Sequence, residues 1–344
     1  MTGTDRIAWV GILVGVLLPT CALADEWIAF STAKARAVAL GGAYFSAEDE
    51  LFSAQWNPAA FGDPRYLRER WVRAYLMPTT PLLAFYRFRS RSLRWRHDEG
   101  ITGAEAIVGT FWAVKGLSFA WHTWTLGFVN ADEPLRPRPE AEPAWPGWNG
   151  ITGQSYTLAF AFKLAPQVAF GASATHELRT AEATTRRWGG TFGVILRPSS
   201  KVNVGLTYVS RPDNLLDLDE ELERVDRGTI NGGISLYPWP GTACFADLRN
   251  LDESETRFGF AELHLGVEQM LFGLAAVRAG WYRIDEDGTV VYSAGIGIKP
   301  FWREADEARP GRQTDLFAYT FVWQHNVEWD RRWHLLALTI PLEW

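Results

Sequence analysis

Residues 156–164 read Tyr-Thr-Leu-Ala-Phe-Ala-Phe-Lys-Leu. Tyr156, Leu158, Phe160, Phe162 and Leu164 share one parity; Thr157, Ala159, Ala161 and Lys163 share the other. Successive side chains of an extended strand point to opposite faces, so this segment has one bulky apolar face and one small or polar face. The same period of two recurs at Val202, Val204, Leu206 and Tyr208 and at Ile230, Ile234 and Leu236. It returns at Val290, Tyr292, Ala294, Ile296 and Ile298, and at Phe317, Tyr319, Phe321 and Trp323. The intervening positions are mostly Gly, Ala, Ser, Thr and Asn. A soluble sandwich turns its apolar face inward and covers the other with bulky charged groups. A small second face suits a membrane barrel, with large residues toward lipid and small ones toward a lumen.

The 344 residues carry 34 basic and 40 acidic side chains, a formal net charge of -6, with 47% hydrophobic and 14% aromatic residues. That composition is too apolar for a disordered chain. It also lacks the basic excess of a nucleic-acid binder, so no nucleic-acid partner is expected. Eighteen Trp residues suit an interface with an apolar side and a wet side. The two cysteines, Cys21 and Cys244, cannot form a disulfide scaffold or a thiolate zinc site.

Arg6 precedes an apolar run from Ile7 to Leu18, and Ala22-Leu23-Ala24 has the small-x-small form of a signal-peptidase site. Residues 1–24 are therefore expected to be a cleaved export signal. After residue 24 there is no uninterrupted apolar run of roughly 18 residues, the length a membrane helix needs. The sequence instead divides into strands near 82–94, 105–114, 117–129, 153–165, 167–179, 187–197, 201–210, 228–237, 242–249, 259–271, 274–283, 289–299, 314–325 and 332–344. Short links are expected near Lys115-Gly116, Ala165-Pro166, Pro198–Ser200, Pro238–Gly241 and Phe272-Gly273, alternating with longer polar links such as 130–152 and 211–227. Short periplasmic turns and longer outer loops are the outer-membrane pattern. The fold class is thus all-β: a transmembrane antiparallel barrel of about fourteen strands over 81–344, with an N-terminal plug segment at 25–80 that includes the extended stretch 71–78.

The plug segment contains the most specific motif. Residues 34–61 read KARAVALGGAYFSAEDELFSAQWNPAAF. Arg36, Ala39-Leu40-Gly41-Gly42-Ala43, the acidic pair Glu48-Asp49 and Asn57-Pro58-Ala59 resemble the start of FadL-like outer-membrane proteins, the long-chain fatty-acid transporter superfamily. They also resemble its PorV/PorQ branch, associated with type IX secretion. Ala60 stands where that superfamily usually has Gly. Gly41 and Gly42 allow tight turns or close backbone approach, and Asn57-Pro58 marks a turn. The resemblance implies that this segment folds into the lumen as a hatch; a fixed structural plug is the plainer expectation. At the other end, Leu336, Leu338, Ile340, Leu342 and Trp344 alternate and finish on an aromatic residue. Leu338, Ile340, Leu342 and Trp344 resemble the terminal signal read by the barrel assembly machinery. Pro341 is less expected in a strand, because it removes a ladder donor.

Chemistry-bearing motifs are absent. No Gly-x-Gly-x-x-Gly or Walker loop joins a strand to a helix, and there is no His-Glu-x-x-His or Gly-x-Ser-x-Gly. The expectation is no enzyme, no metal and no cofactor. With large residues outward, Arg87, Arg89 and Arg91 face the lumen from one strand, Glu262, His264 and Glu268 from another, and Arg278 and Lys299 from two more. Arg87 and Arg89 are the candidate ligand contacts, since Arg binds carboxylates bidentately. For the other charged residues, a ladder of Arg–Glu pairs cross-linking the interior is the stronger expectation. Trp112, Trp121, Trp188, Trp281, Trp323 and Trp333 fit interfacial girdles.

The expected location is the outer membrane of a Gram-negative-type bacterium. What the resemblance implies is passive passage of small hydrophobic molecules such as fatty acids. Partners would be outer-membrane lipid, a small hydrophobic ligand and the barrel assembly machinery. The alternatives are a PorV-like scaffold or shuttle bound to a secretion-system protein, or a purely structural barrel. Removing Leu342–Trp344 should lower the yield of heat-modifiable, membrane-assembled barrel in electrophoresis. Unchanged yield would remove the terminal-signal argument.

Overall fold

In a computed structural model of the chain, the alternation becomes the two faces of one continuous wall. The structure describes residues 27–30, 35–48, 51–61, 70–76, 114–134, 151–180, 184–210, 229–251, 262–283, 288–300, 315–326 and 330–343. The strands are β1 (Trp27–Phe30), β2 (Arg70–Leu76), β3 (Val114–Trp121), β4 (Trp124–Pro134), β5 (Ile151–Ala165), β6 (Val168–Thr180), β7 (Thr184–Ser199) and β8 (Val202–Val209). They continue as β9 (Thr229–Leu236), β10 (Thr242–Arg249), β11 (Glu262–Leu271), β12 (Ala275–Arg283), β13 (Val290–Ile298), β14 (Phe317–His325), β15 (Asp330–Leu338) and β16 (Ile340–Glu343). A helix, α1 (Ala35–Ala39), and a 3-10 turn (Leu51–Gln55) lie inside the wall. The expected signal peptide at 1–24 and the strand expected at 82–94 lie outside the described residues, as does nearly all of that at 105–114.

From β2 to β15 each strand pairs antiparallel with the next, and β16 pairs antiparallel with β2. β15 and β16 are one stave interrupted at Thr339, whose amide still bonds Leu316 O at 2.8 Å. β1 pairs in parallel with β15, from Trp27↔Trp333 to Phe30↔Leu336. It occupies the part of that edge that β2, which meets β16 at Leu76↔Ile340, does not reach. Among the described residues, the sixteen ladder segments are therefore fifteen staves of a nearly closed barrel. Residues 70–76, expected in the plug region, form a wall strand.

The faces follow the parity read above. On β5, Leu158, Phe160, Phe162 and Leu164 point outward and are exposed, while Thr157, Ala159, Ala161 and Lys163 are buried inside. Short turns lie at 165–168, 199–202, 237–242 and 271–275, where expected. In the last, Phe272 and Gly273 both take positive φ (53° and 64°), as the central residues of a type I′ turn do, and the Leu274 amide closes it on Leu271 O at 3.0 Å.

The turn expected at Lys115-Gly116 is not there; both residues lie within β3. The chain reverses at His122-Thr123, where His122 has φ 53°. Leu117, Phe119 and Trp121 then pair across the hairpin with Phe128, Leu126 and Trp124. The expected single strand 117–129 is two. The apolar parity switches from odd to even across 122–123, because a two-residue loop re-enters the sheet with the bulky residues on the same outer face.

Pro341 also has a physical account. Successive amides point to opposite sides of a strand, and the Thr339 amide faces β14. Position 341 faces the same side, but Leu338 is already opposite Phe317, the first residue of β14. Among the described residues, the missing donor therefore removes no ladder bond to β14. Opposed residues of paired strands have disulfide-compatible spacing. Leu76→Cys with Ile340→Cys should cross-link within one chain under mild oxidation, read as a mobility shift reversed by reductant. Absence of the cross-link would show that β2 is not the closing neighbour.

Candidate functional site

The interior is occupied by the N-terminal segment. Every described side chain from Ala35 to Phe61 is buried except Val38. α1 ends in two left-handed glycines, Gly41 (φ 63°) and Gly42 (φ 76°), and the Gly42 amide closes back on Ala37 O at 2.8 Å. Residues with a β-carbon rarely adopt this conformation.

The turn that follows is clamped by the wall. The Gly41 amide donates to Ser293 Oγ at 3.2 Å, and Gly41 O lies 2.6 Å from His264 Nδ1. Arg249 Nη2 donates to Gly42 O at 2.7 Å. One carboxylate oxygen of Asp247 accepts from the amides of both Tyr44 and Phe45, the latter at 2.9 Å. Ser293 and Thr320 hydroxyls donate to Ala39 O and Ala35 O. Further along, Asn57 Nδ2 bonds Phe45 O at 2.7 Å and Val194 O at 3.2 Å, joining two turns of the plug to β7. Asn57 Oδ1 accepts from the Ala59 amide at 3.0 Å. Pro58 and Ala59 lie against Gly171 of β6.

Close approach is what the wall glycines provide. A β-carbon on Gly280 would overlap the Gly41 backbone, and one on Gly266 would lie 2.6 Å from Leu40 O. One on Gly205 would strike Phe45 O, and one on Gly193 would strike Asn57. The small inward face is thus a bed for the plug.

Buried charges are cross-linked. Glu268 receives Arg36 at 2.9 and 3.2 Å and Arg278 at 2.5 Å. Arg278 also binds Asp315 at 2.7 and 3.1 Å, and Lys299 Nζ reaches the same carboxylate at 2.9 Å. Burial alone would raise the Asp315 carboxyl, but Arg278 and Lys299 hold it below its ordinary value. Arg197 on β7 pairs with Glu48 of the plug. Among the described charges, the charge-ladder expectation fits Glu268, Arg278 and Lys299. His264 instead holds the plug backbone and stacks on Tyr282 with ring centres 4.5 Å apart.

Gly41, Gly42, Asn57 and Pro58 are brought together in the plug. Leu338, Ile340 and Leu342 sit on the outward face of the last stave. Arg87, Arg89 and Trp344 lie outside the described residues. Asp247 and Arg249 were missed as plug clamps. Their signal was parity, since both share the inward face of β10 with Ala243 and Phe245. Among the described residues no three His, Cys, Asp or Glu side chains gather as a metal would need, and no helix is long and apolar enough to cross a membrane.

No protein-family model matches the chain, and no curated protein does. Among solved structures it aligns with the CymD monoaromatic hydrocarbon channel at a TM-score of 0.46 and 10% identity, covering 89% of this chain and 96% of that one. It aligns with the Ralstonia pickettii toluene transporter TbuX at 0.45 and 10%, covering 89% and 96%. A Pseudomonas aeruginosa FadL homologue gives 0.46 and 10%, covering 92% and 98%. The barrel itself is defined by its own strand ladder.

Asp247→Leu should leave two interior amides unpaired, at a cost of about 2–4 kcal/mol. Gly280→Val should overpack the Gly41 contact, at a cost of about 1–3 kcal/mol. Both should lower the temperature at which the compact barrel band is lost and expose residues 35–61 to protease. Wild-type behaviour in both assays would mean that these contacts do not hold the plug.

Proposed function

We propose that the protein is an outer-membrane β-barrel that passes small hydrophobic molecules, such as fatty acids, passively from outside to the periplasm or the outer leaflet. The observation that carries the membrane reading is the outward face. Leu158, Phe160, Phe162, Phe170, Phe192 and Leu206 on neighbouring strands are all exposed, and a soluble monomer does not leave an apolar belt of that extent in water. An outward apolar band on a nearly closed barrel is what a bilayer requires. Trp188 and Trp323, exposed on this face, suit the girdle role.

The hydrophobic cargo is supported by the interior. A standing water column would suit sugars or ions, but here the lumen holds a buried plug. Apolar groups line its flanks: Tyr282, Val291, Val322 and Leu335 pack near Val38, and Phe52 and Phe61 pack near Tyr75 and Val129. The resemblance of residues 34–61 to the fatty-acid transporter superfamily supplies the substrate class. A second reading, a scaffold or shuttle of a secretion system or a structural barrel, is favoured by how firmly the plug is tied to the wall.

Produced in a Gram-negative host that lacks its own fatty-acid transporter, the protein should restore uptake of labelled oleate or toluene and leave sucrose entry unchanged. No restoration, together with a stoichiometric co-purifying protein, would favour the scaffold.

A further inference from the structure

Among the described residues the outward face has a concave feature at β10. On β10 the outward residues Cys244 and Ala246 are small. They pair with Leu236 and Ile234 of β9 on one side and with Val267 and Leu265 of β11 on the other. Two small side chains between four larger ones make a groove along β10. It widens over Ala279 toward Trp281 on β12 as an open hollow of about 420 Å³. Behind it the wall is thin, because the Gly266↔Gly280 pair has the plug's Leu40-Gly41 directly on its inner side.

We infer that this groove holds one acyl chain of a phospholipid from the periplasm-facing leaflet, with the headgroup at the β7–β8 and β9–β10 turns. The inference rests on the membrane reading above. The groove is continuous with the outward belt, since Leu236, Ile234, Leu265 and Val267 are exposed members of it. At its lower end Leu236 is the last residue of β9 before the β9–β10 turn, where Trp239 is 61% exposed. An indole there suits the boundary between chain and headgroup. Beside it lies Lys201, exposed in the β7–β8 turn, whose carbonyl accepts the Tyr237 amide at 2.8 Å. An ammonium at that height complements a lipid phosphate. A chain lying in the groove touches protein on three sides, whereas a chain on the convex wall touches it on one. Contact area sets the strength of apolar association, so this lipid exchanges more slowly than its neighbours.

The test uses the full chain reconstituted in phosphatidylethanolamine and phosphatidylglycerol vesicles, extracted in mild detergent and weighed intact by native mass spectrometry. Wild type should retain one phospholipid per chain. Ala246→Phe fills the groove from the lipid side and should reduce the retained fraction about tenfold, as losing about two buried methylenes of contact would. Lys201→Glu should weaken retention of the anionic lipid most. Ala174→Phe, an outward enlargement on β6 away from the groove, should retain lipid as wild type does. Equal retention by wild type and Ala246→Phe, or no retained phospholipid in wild type, would overturn the groove assignment and leave the membrane barrel standing. A retained mass matching a free hydrophobic compound would overturn it in favour of a cargo site. Failure of the wild-type chain to enter the vesicles as a heat-modifiable barrel would overturn the membrane reading and the groove with it.

Discussion

Backbone-to-backbone contact between plug and wall is the constraint on which the interior depends. At Gly41 against Gly280, Leu40 against Gly266, and Phe45 against Gly205, no β-carbon separates the two layers. Peptide groups pressed together in a low-dielectric interior must be hydrogen-bonded. Asp247, His264, Arg249, Ser293 and Thr320 supply those bonds from the wall. The glycines bring the polar clamps within reach, and the clamps satisfy the groups that the close approach buries.

The charged network is the second tier of the same arrangement. Arg36 of the plug, Glu268 and Arg278 of the wall, Asp315 and Lys299 join plug, β11, β12 and the segment before β14 in one run of ion pairs. Buried ion pairs add modest net stability, but removing one member leaves its partner uncompensated. The network therefore acts as a positional constraint, fixing α1 against β11 and β12 through a pairing that a shifted register would break.

Much of this fold was legible in the sequence, because lipid and lumen impose different demands on alternate residues. The parity of Leu158, Phe160 and Phe162 against Thr157, Ala159 and Ala161 is enough to assign both faces of β5. The hairpin at His122-Thr123 was missed because it lacks the usual turn residues; only the switch of apolar parity marks it. Residues 70–76 were misplaced because their role depends on pairing with the distant Ile340–Glu343. The glycine-rich inward face was read as the lining of a lumen. That its small size serves a partner inside the barrel is a three-dimensional fact that no local window carries. Charge parity on β10 did contain the clamp residues Asp247 and Arg249, but not their targets.

The sequence separation of these contacts has a consequence for assembly. Arg36 meets Glu268 across 232 positions, and Ala35 meets Thr320 across 285. Contacts of that range are the slowest to form, because a long loop must close before they contribute. The segment nearest the start of the chain finds its seat only when strands near the other end are in place. Full seating of the plug thereby waits on the strands, β11 to β14, that carry its partners.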